Sequence, residues 1–258
     1  MKKSLIAVAA TCIVFMGSAT AALTKPVFTA EQEARIGEIA ADYLVAHPEV
    51  LVQVSQKLKA QQEAKQQAMF AVKVMENQQA LISDTDTPIV GPAGAKVAVI
   101  EFFDYQCVYC SHLAPELEKV MKNRPDVRYI FKEWPIFASR WENSQKAAET
   151  GLKIWKSGGA DAYIRYHNGI YATGHFEGEL TSDDIAKASV GSKIDAGDKT
   201  DVQVILDKNN QLAQALGLTG TPGLIVMPVS QSTPDKITVL PGAAPAQKIL
   251  EAISKASK

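Results

Sequence analysis

Apolar residues recur along this chain with two periods, and the places where one period gives way to the other divide it into elements. Residues 29–81 carry the 3.6-residue spacing of helices. Thr29 is a candidate N-cap, and Ile36, Ile39, Ala40, Tyr43 and Leu44 share one face. His47 and Pro48 interrupt that face, and a second helix opens at Pro48, where proline is tolerated in a first turn. Its stripe is Leu51, Val54 and Leu58; a patch rich in Gln and Lys follows before Met69, Val72 and Met75 resume it. Turn-forming residues at 83–88 and at Gly91 and Pro92 then separate this helical extension from the rest.

Residues 97–103 are almost continuously apolar, as in a central strand covered on both faces. Leu113, Leu117, Val120 and Met121 follow at helical spacing, and Arg124, Pro125 and Asp126 turn the chain into a strand at 127–132. Residues 139–216 are mostly helical, in segments at 143–155, 161–171, 182–189 and 202–216. Residues 224–227 and 236–240 read as the strands of a hairpin. A last helix over 245–254 carries Ile249, Leu250 and Ile253.

The apolar run at 5–16 changes the picture of where the protein works. Lys2 and Lys3 precede it, and the small residues Gly17, Ser18, Ala19, Thr20 and Ala21 follow. These are the three regions of a secretory signal, with cleavage expected after Ala21. The run is short for a membrane span, which needs about 20 apolar residues. Loss of the two lysines leaves 25 basic against 28 acidic residues, which gives no electrostatic support for nucleic-acid binding. Cys12 would be lost with the signal, so only Cys107 and Cys110 remain. An exported protein whose two cysteines are spaced C-x-x-C uses them for chemistry rather than as a staple.

That pair falls where the strand period gives way to the helix period. Unpaired N–H groups and the macrodipole at a helix N-terminus favour a thiolate, so Cys107 is expected to be an acidic, exposed nucleophile. Cysteines in such settings titrate at roughly 3.5 to 7.5. Cys110, one turn into the helix, is placed to attack a mixed disulfide on Cys107. Haem attachment would need His directly after Cys110, where Ser111 stands. A zinc site would need ligands that no second C-x-x-C supplies. No metal or other cofactor is expected.

The segment from Glu101 through Phe102, Phe103, Asp104 and Tyr105 to Cys107 and Cys110 resembles the active strand of the DsbA-like thiol oxidoreductases of the thioredoxin superfamily. Pro115 resembles the proline of the thioredoxin active-site helix. The segment from Ala213 through Leu216 and Gly217 to Gly220, Thr221 and Pro222 is similar to the approach to the family's cis-proline loop. The resemblance covers residues 83–258 and implies an α/β thioredoxin fold with an inserted helical domain at about 139–216, preceded by an N-terminal helical extension at 22–82. It makes Glu101 the buried acid beneath the thiols, and desolvation would raise its pKa and fit it to be the base for Cys110. A Glu101–Lys132 pair is plausible on the same basis, with a solvent-facing Lys132 the alternative. Thr221 and Pro222, joined by a cis bond, would bind an extended substrate together with Val108 and Tyr109 at the rim. His167 and His175, with no partner at ligand spacing, read as surface or packing histidines.

The implied function is thiol-disulfide exchange in the periplasm, forming or isomerising disulfides in unfolded or misoxidised exported proteins, with a membrane redox partner of DsbB or DsbD type. Because Val108 and Tyr109 bring no histidine between the thiols, a less extreme oxidant than the DsbA pattern is expected. A chaperone or assembly module with incidental thiols stays open as the alternative. The narrow apolar stripe of the extension needs a partner surface, and the expectation is a homodimer that holds two Cys107 sites around a shared cleft.

Overall fold

A computed structural model of the chain describes residues 27–195 and 201–258; the expected signal segment and Cys12 lie outside them. Strand β2 (Val97–Phe103) is buried along its whole length, as a heptapeptide apolar at every position but Glu101 leads one to expect. It is the middle of a five-stranded sheet whose order is β1 (Ile89–Val90), β3 (Arg128–Glu133), β2, β4 (Gly223–Pro228) and β5 (Thr238–Pro241). β2 and β3 run parallel, and every other neighbouring pair is antiparallel. Helix α4 (Val108–Asn123) makes the crossover from β2 to β3. β1 lies in a stretch whose Pro and Gly read as turn. Two residues are too few to carry a period, so the pattern could not reveal it.

Alternation along β2 sorts its side chains onto two cores. Val97, Val99 and Phe103 face one, with α4, α5 (Glu142–Ala172) and α8 (Ala246–Ala256) packed over them. Ala98, Ile100 and Phe102 face the other, covered by α7 (Val202–Leu216), α3 (Gln78–Ile82) and the last turns of α2 (Pro48–Glu76). Each large apolar side chain buried in this way stabilises the fold by about 1.5–3 kcal/mol. Helices α5, α6 (Ser182–Ala188) and α7 form the helical insertion between β3 and β4. α5 is interrupted at Gly159, whose φ of 70° breaks it where the sequence separates 143–155 from 161–171.

The same alternation corrects one expectation. Glu101 lies opposite Phe131 in the parallel register, so Lys132, the next residue, points to the other face of the sheet. Lys132 is neither paired with Glu101 nor solvent-facing. It is fully buried, and its ammonium donates to Asp84 Oδ2 at 2.7 Å and to Thr87 Oγ1 at 3.0 Å. The strand lysine therefore fastens the segment before β1 to the sheet and has no part in the thiol site.

The described residues divide into two compact units, one up to Leu58 and one from Lys59. In the first, α1 (Ala30–Ala46) opens with Thr29 in a capping box with Gln32, and none of its residues is buried. Ile36, Ile39, Tyr43, Leu51, Val54 and Leu58 are all exposed. The second unit begins at Lys59, and Ala71, Val74, Leu81 and Ile82 are buried in the second core.

Candidate active site

The helix that follows β2 begins with Val108, and Cys107 is its N-cap, with extended φ and ψ of −84° and 116°. The sulfur thus stands over the open N–H groups of the first turn. It also donates to the Thr221 carbonyl at 3.3 Å. Thr221 precedes Pro222 across a cis peptide bond, so the segment similar to the cis-proline loop is brought against the first cysteine. Cys107 is only 4% exposed, which corrects the expectation of an open nucleophile. Thr221 is half-buried, and the exposed group at this rim is Tyr109. Val108 is half-buried beside it.

The two thiols sit in opposite electrostatic settings. The Cys107 thiol is lowered to about 6, chiefly by a hydrogen bond from the Cys110 thiol; burial opposes the shift, and Thr221 and the backbone N–H groups of Cys110 and Tyr109 assist it. The Thr221 hydroxyl is itself buried and has no hydrogen-bond partner, so it is a donor still open beside the sulfur. Cys110 is fully buried, and desolvation together with the charge on Cys107 pushes its thiol well above the ordinary range. The arrangement supports a thiolate on the first sulfur and a proton on the second.

Glu101 lies on the same sheet face as Val99 and Phe103, which places it beneath the cysteines. It is buried, and neither carboxyl oxygen has a hydrogen-bond partner. Desolvation first, and the Cys107 charge second, raise its carboxyl to about 8. A carboxyl with that value is neutral beside a thiolate at pH 7 and can exchange a proton near neutrality.

The sequence pattern left other buried polar groups around this site unread. Glu133, at the end of β3, accepts from the Tyr105 and Tyr163 hydroxyls at 3.0 and 2.8 Å. Its signal was available, because it stands two residues after Phe131 and so shares the face of Phe131. Asp104 and Gln106 flank Tyr105, and all three are buried. His167 is a packing histidine within rings that include Phe103, Phe131 and Tyr171, and burial lowers it to about 4, so it is uncharged. His175 pairs with Asp184 at 2.9 Å instead. Among the described residues, no cluster of three or more His, Cys, Asp or Glu could hold a metal ion.

The raised carboxyl makes a linkage prediction. Glu101 binds its proton more tightly folded than unfolded, so its contribution to stability is full below about 4.5 and is lost as pH rises towards about 8. Reduced Glu101→Gln, neutral throughout, is expected to exceed the reduced wild type in stability at pH 7 by about 1–3 kcal/mol. The gain should vanish at pH 4. Urea denaturation at the two pH values checks this, and equal stabilities at pH 7 would mean that Glu101 ionises without cost.

A family model described as thioredoxin matches residues 83–236, and one described as the N-terminal domain of the copper resistance protein ScsC matches residues 32–65. BcfH of Salmonella enterica Typhimurium is 37% identical, with a TM-score of 0.72 over 88% of this chain and 97% of that one. Proteus mirabilis ScsC, in a transitional conformation, is 26% identical with a TM-score of 0.57, over 89% of this chain and 97% of that one. A periplasmic thioredoxin-like protein from Salmonella enterica serovar Typhimurium is 27% identical with a TM-score of 0.58, over 70% and 95%. A comparison with curated proteins finds no match. With the sheet, the helical insertion and the N-terminal helices in place, the chain belongs to the thioredoxin family, in the group of BcfH and the ScsC proteins with an N-terminal helical extension.

Proposed function

We propose that the protein exchanges disulfides with exported proteins in the periplasm, with Cys107 as the attacking and leaving sulfur and Cys110 as the resolving one. The observation that carries this is the split between the two thiols, one lowered to about 6 at a helix N-cap and the other buried and raised three residues on. In oxidation, a substrate thiolate attacks Cys107 of the Cys107–Cys110 disulfide, and the Cys110 sulfur leaves with the bonding pair and takes a proton from Glu101. A second substrate thiolate then attacks the substrate sulfur of the mixed disulfide, which forms the substrate disulfide and releases Cys107 as a thiolate. In isomerisation the Cys107 thiolate attacks a substrate disulfide first. Glu101 accepts the Cys110 proton when resolution is needed.

Tyr109 and Val108 offer apolar contact at the rim, and Thr221 and Pro222 present backbone for an extended substrate strand. A membrane partner of DsbB or DsbD type would restore the redox state. The signal-like N-terminus and the likeness to a periplasmic thioredoxin-like protein support the compartment. The exposed apolar residues of α1 and early α2 support self-association, with the homodimer as the smallest closed arrangement.

Two outcomes are expected. Alkylation of the reduced protein should go to Cys107 alone, with a rate profile whose midpoint is near pH 6, and Cys107→Ser should abolish insulin reduction and scrambled-ribonuclease refolding. Equal labelling of both thiols, or exchange that survives Cys107→Ser, would contradict the assignment and favour the chaperone alternative. Removal of residues 22–58, which spares the compact unit from Lys59, should convert an oligomer into a monomer that oxidises thiols but isomerises poorly. Sedimentation of the full mature chain as a monomer would refute the role given to the extension.

A further inference from the structure

Three consecutive residues connect β2 to the N-cap cysteine, and all three are polar or amphipathic side chains that an ordinary turn would leave in water. Asp104, Tyr105 and Gln106 are instead each no more than 1% exposed. Burial of such groups costs free energy unless each is hydrogen-bonded, and here each is bonded to a different element. Asp104 Oδ2 accepts from Ser144 Oγ at 2.8 Å and from the Phe137 N–H at 2.9 Å. The Tyr105 hydroxyl donates to Glu133. Gln106 Oε1 accepts from the Gly178 N–H at 2.9 Å, and its carbonyl accepts from the Glu177 N–H at 2.9 Å.

The Asp104 carbonyl takes two donors, the Cys107 N–H at 3.0 Å and the Tyr171 hydroxyl at 3.2 Å. Ser144 and Tyr171 belong to α5, and Glu177 and Gly178 to the loop after it, so most of these anchors lie in the helical insertion. Gly151 of α5 fits the same purpose. A Cβ there would come within 2.7 Å of Glu133 Oε1 and 3.3 Å of the Tyr105 hydroxyl. Glycine inside a helix costs about 1 kcal/mol relative to alanine, and this close approach is what requires it.

We propose that Asp104, Tyr105 and Gln106 form a positioning clamp through which the helical insertion holds the Cys107 sulfur over the first turn of α4. The first-turn N–H groups of α4, those of Tyr109 and Cys110, lie on the side of the sulfur and favour its charge only while Cys107 keeps its extended N-cap conformation, and the clamp is the segment of chain that sets it. The helical insertion thereby tunes the thiol pair as well as walling a groove. A loosened clamp draws the N–H groups off the sulfur, removes stabilisation from the thiolate, and shifts the redox equilibrium towards the disulfide.

This inference rests on the exchange chemistry proposed above, and its test reads the thiols themselves. Gln106→Leu removes the acceptor for the Gly178 N–H, and Tyr171→Phe removes one donor to the Asp104 carbonyl while keeping the ring. Tyr166→Phe is the control, since it deletes a hydroxyl of the same helix that bonds the Ala147 carbonyl. Thiolate absorbance titration and equilibration with glutathione are measured on folded protein. In both clamp variants the Cys107 midpoint should rise above about 6, and the equilibrium constant should move about tenfold towards the protein disulfide, roughly 30 mV. Tyr166→Phe should leave both unchanged. If Gln106→Leu fails to fold, Tyr171→Phe decides alone. Unchanged midpoint and potential in the folded clamp variants, or equal shifts in the control, overturn the clamp. Exchange that persists in Cys107→Ser overturns the underlying reaction instead.

Discussion

One apolar interior holds Glu101 and Cys110, and it cannot hold charge on both. Neither group has access to water, and neither Glu101 oxygen has a hydrogen-bond partner, so each is driven towards its neutral form. Burial opposes charge on Cys107 too, but donors at the start of α4, the Cys110 thiol first, outweigh it. The negative charge of the reduced site is therefore confined to one sulfur at the rim, and the exchangeable protons lie below it. The rest of the fold serves this division: β2 sets the depth of Glu101, α4 turns its N-terminus to Cys107, and the Thr221–Pro222 segment closes the site from the side of β4.

Much of this arrangement is visible in the order of residues, for a physical reason. The change from continuous apolarity at 97–103 to helical spacing at Leu113 and Leu117 marks the junction where the thiols must lie, and a carboxyl within that apolar run can hardly avoid burial. Strand parity, not composition, decides the fate of Lys132. Because it is offset by one residue from Phe131, it faces the core opposite Glu101, and its partner Asp84 lies 48 positions upstream, beyond any local pattern. The anchoring of Asp104, Tyr105 and Gln106 was hidden for a related reason. Their partners come from β3, α5 and the loop after it, and hydrogen bonds between distant segments leave no period in the sequence. The expected exposure of Cys107 failed because the Thr221 segment, more than 100 residues away, covers it.

The extension shows the limit of reading amphipathicity alone. The spacing resumes the stripe of α2 at Met69, Val72 and Met75, yet those three side chains are exposed, as are Ile36, Ile39, Tyr43, Leu51, Val54 and Leu58. It is Ala71 and Val74 that are buried in the core of the second unit. The periodicity reports that a helix has an apolar face, not which surface will cover it. The boundary at Lys59 follows from the packing of late α2 and α3 against the sheet.

The claim that thiolate charge is stabilised at Cys107 alone is tested most directly by the reduction potential of the Cys107–Cys110 pair. Stabilising the thiolate favours the reduced form, so the potential should lie above the roughly −270 mV of thioredoxin-type reductants and below the roughly −120 mV of the strongest oxidants of the superfamily. A value at or below about −270 mV would mean that the helix terminus and Thr221 do not stabilise the reduced site, and would contradict the account.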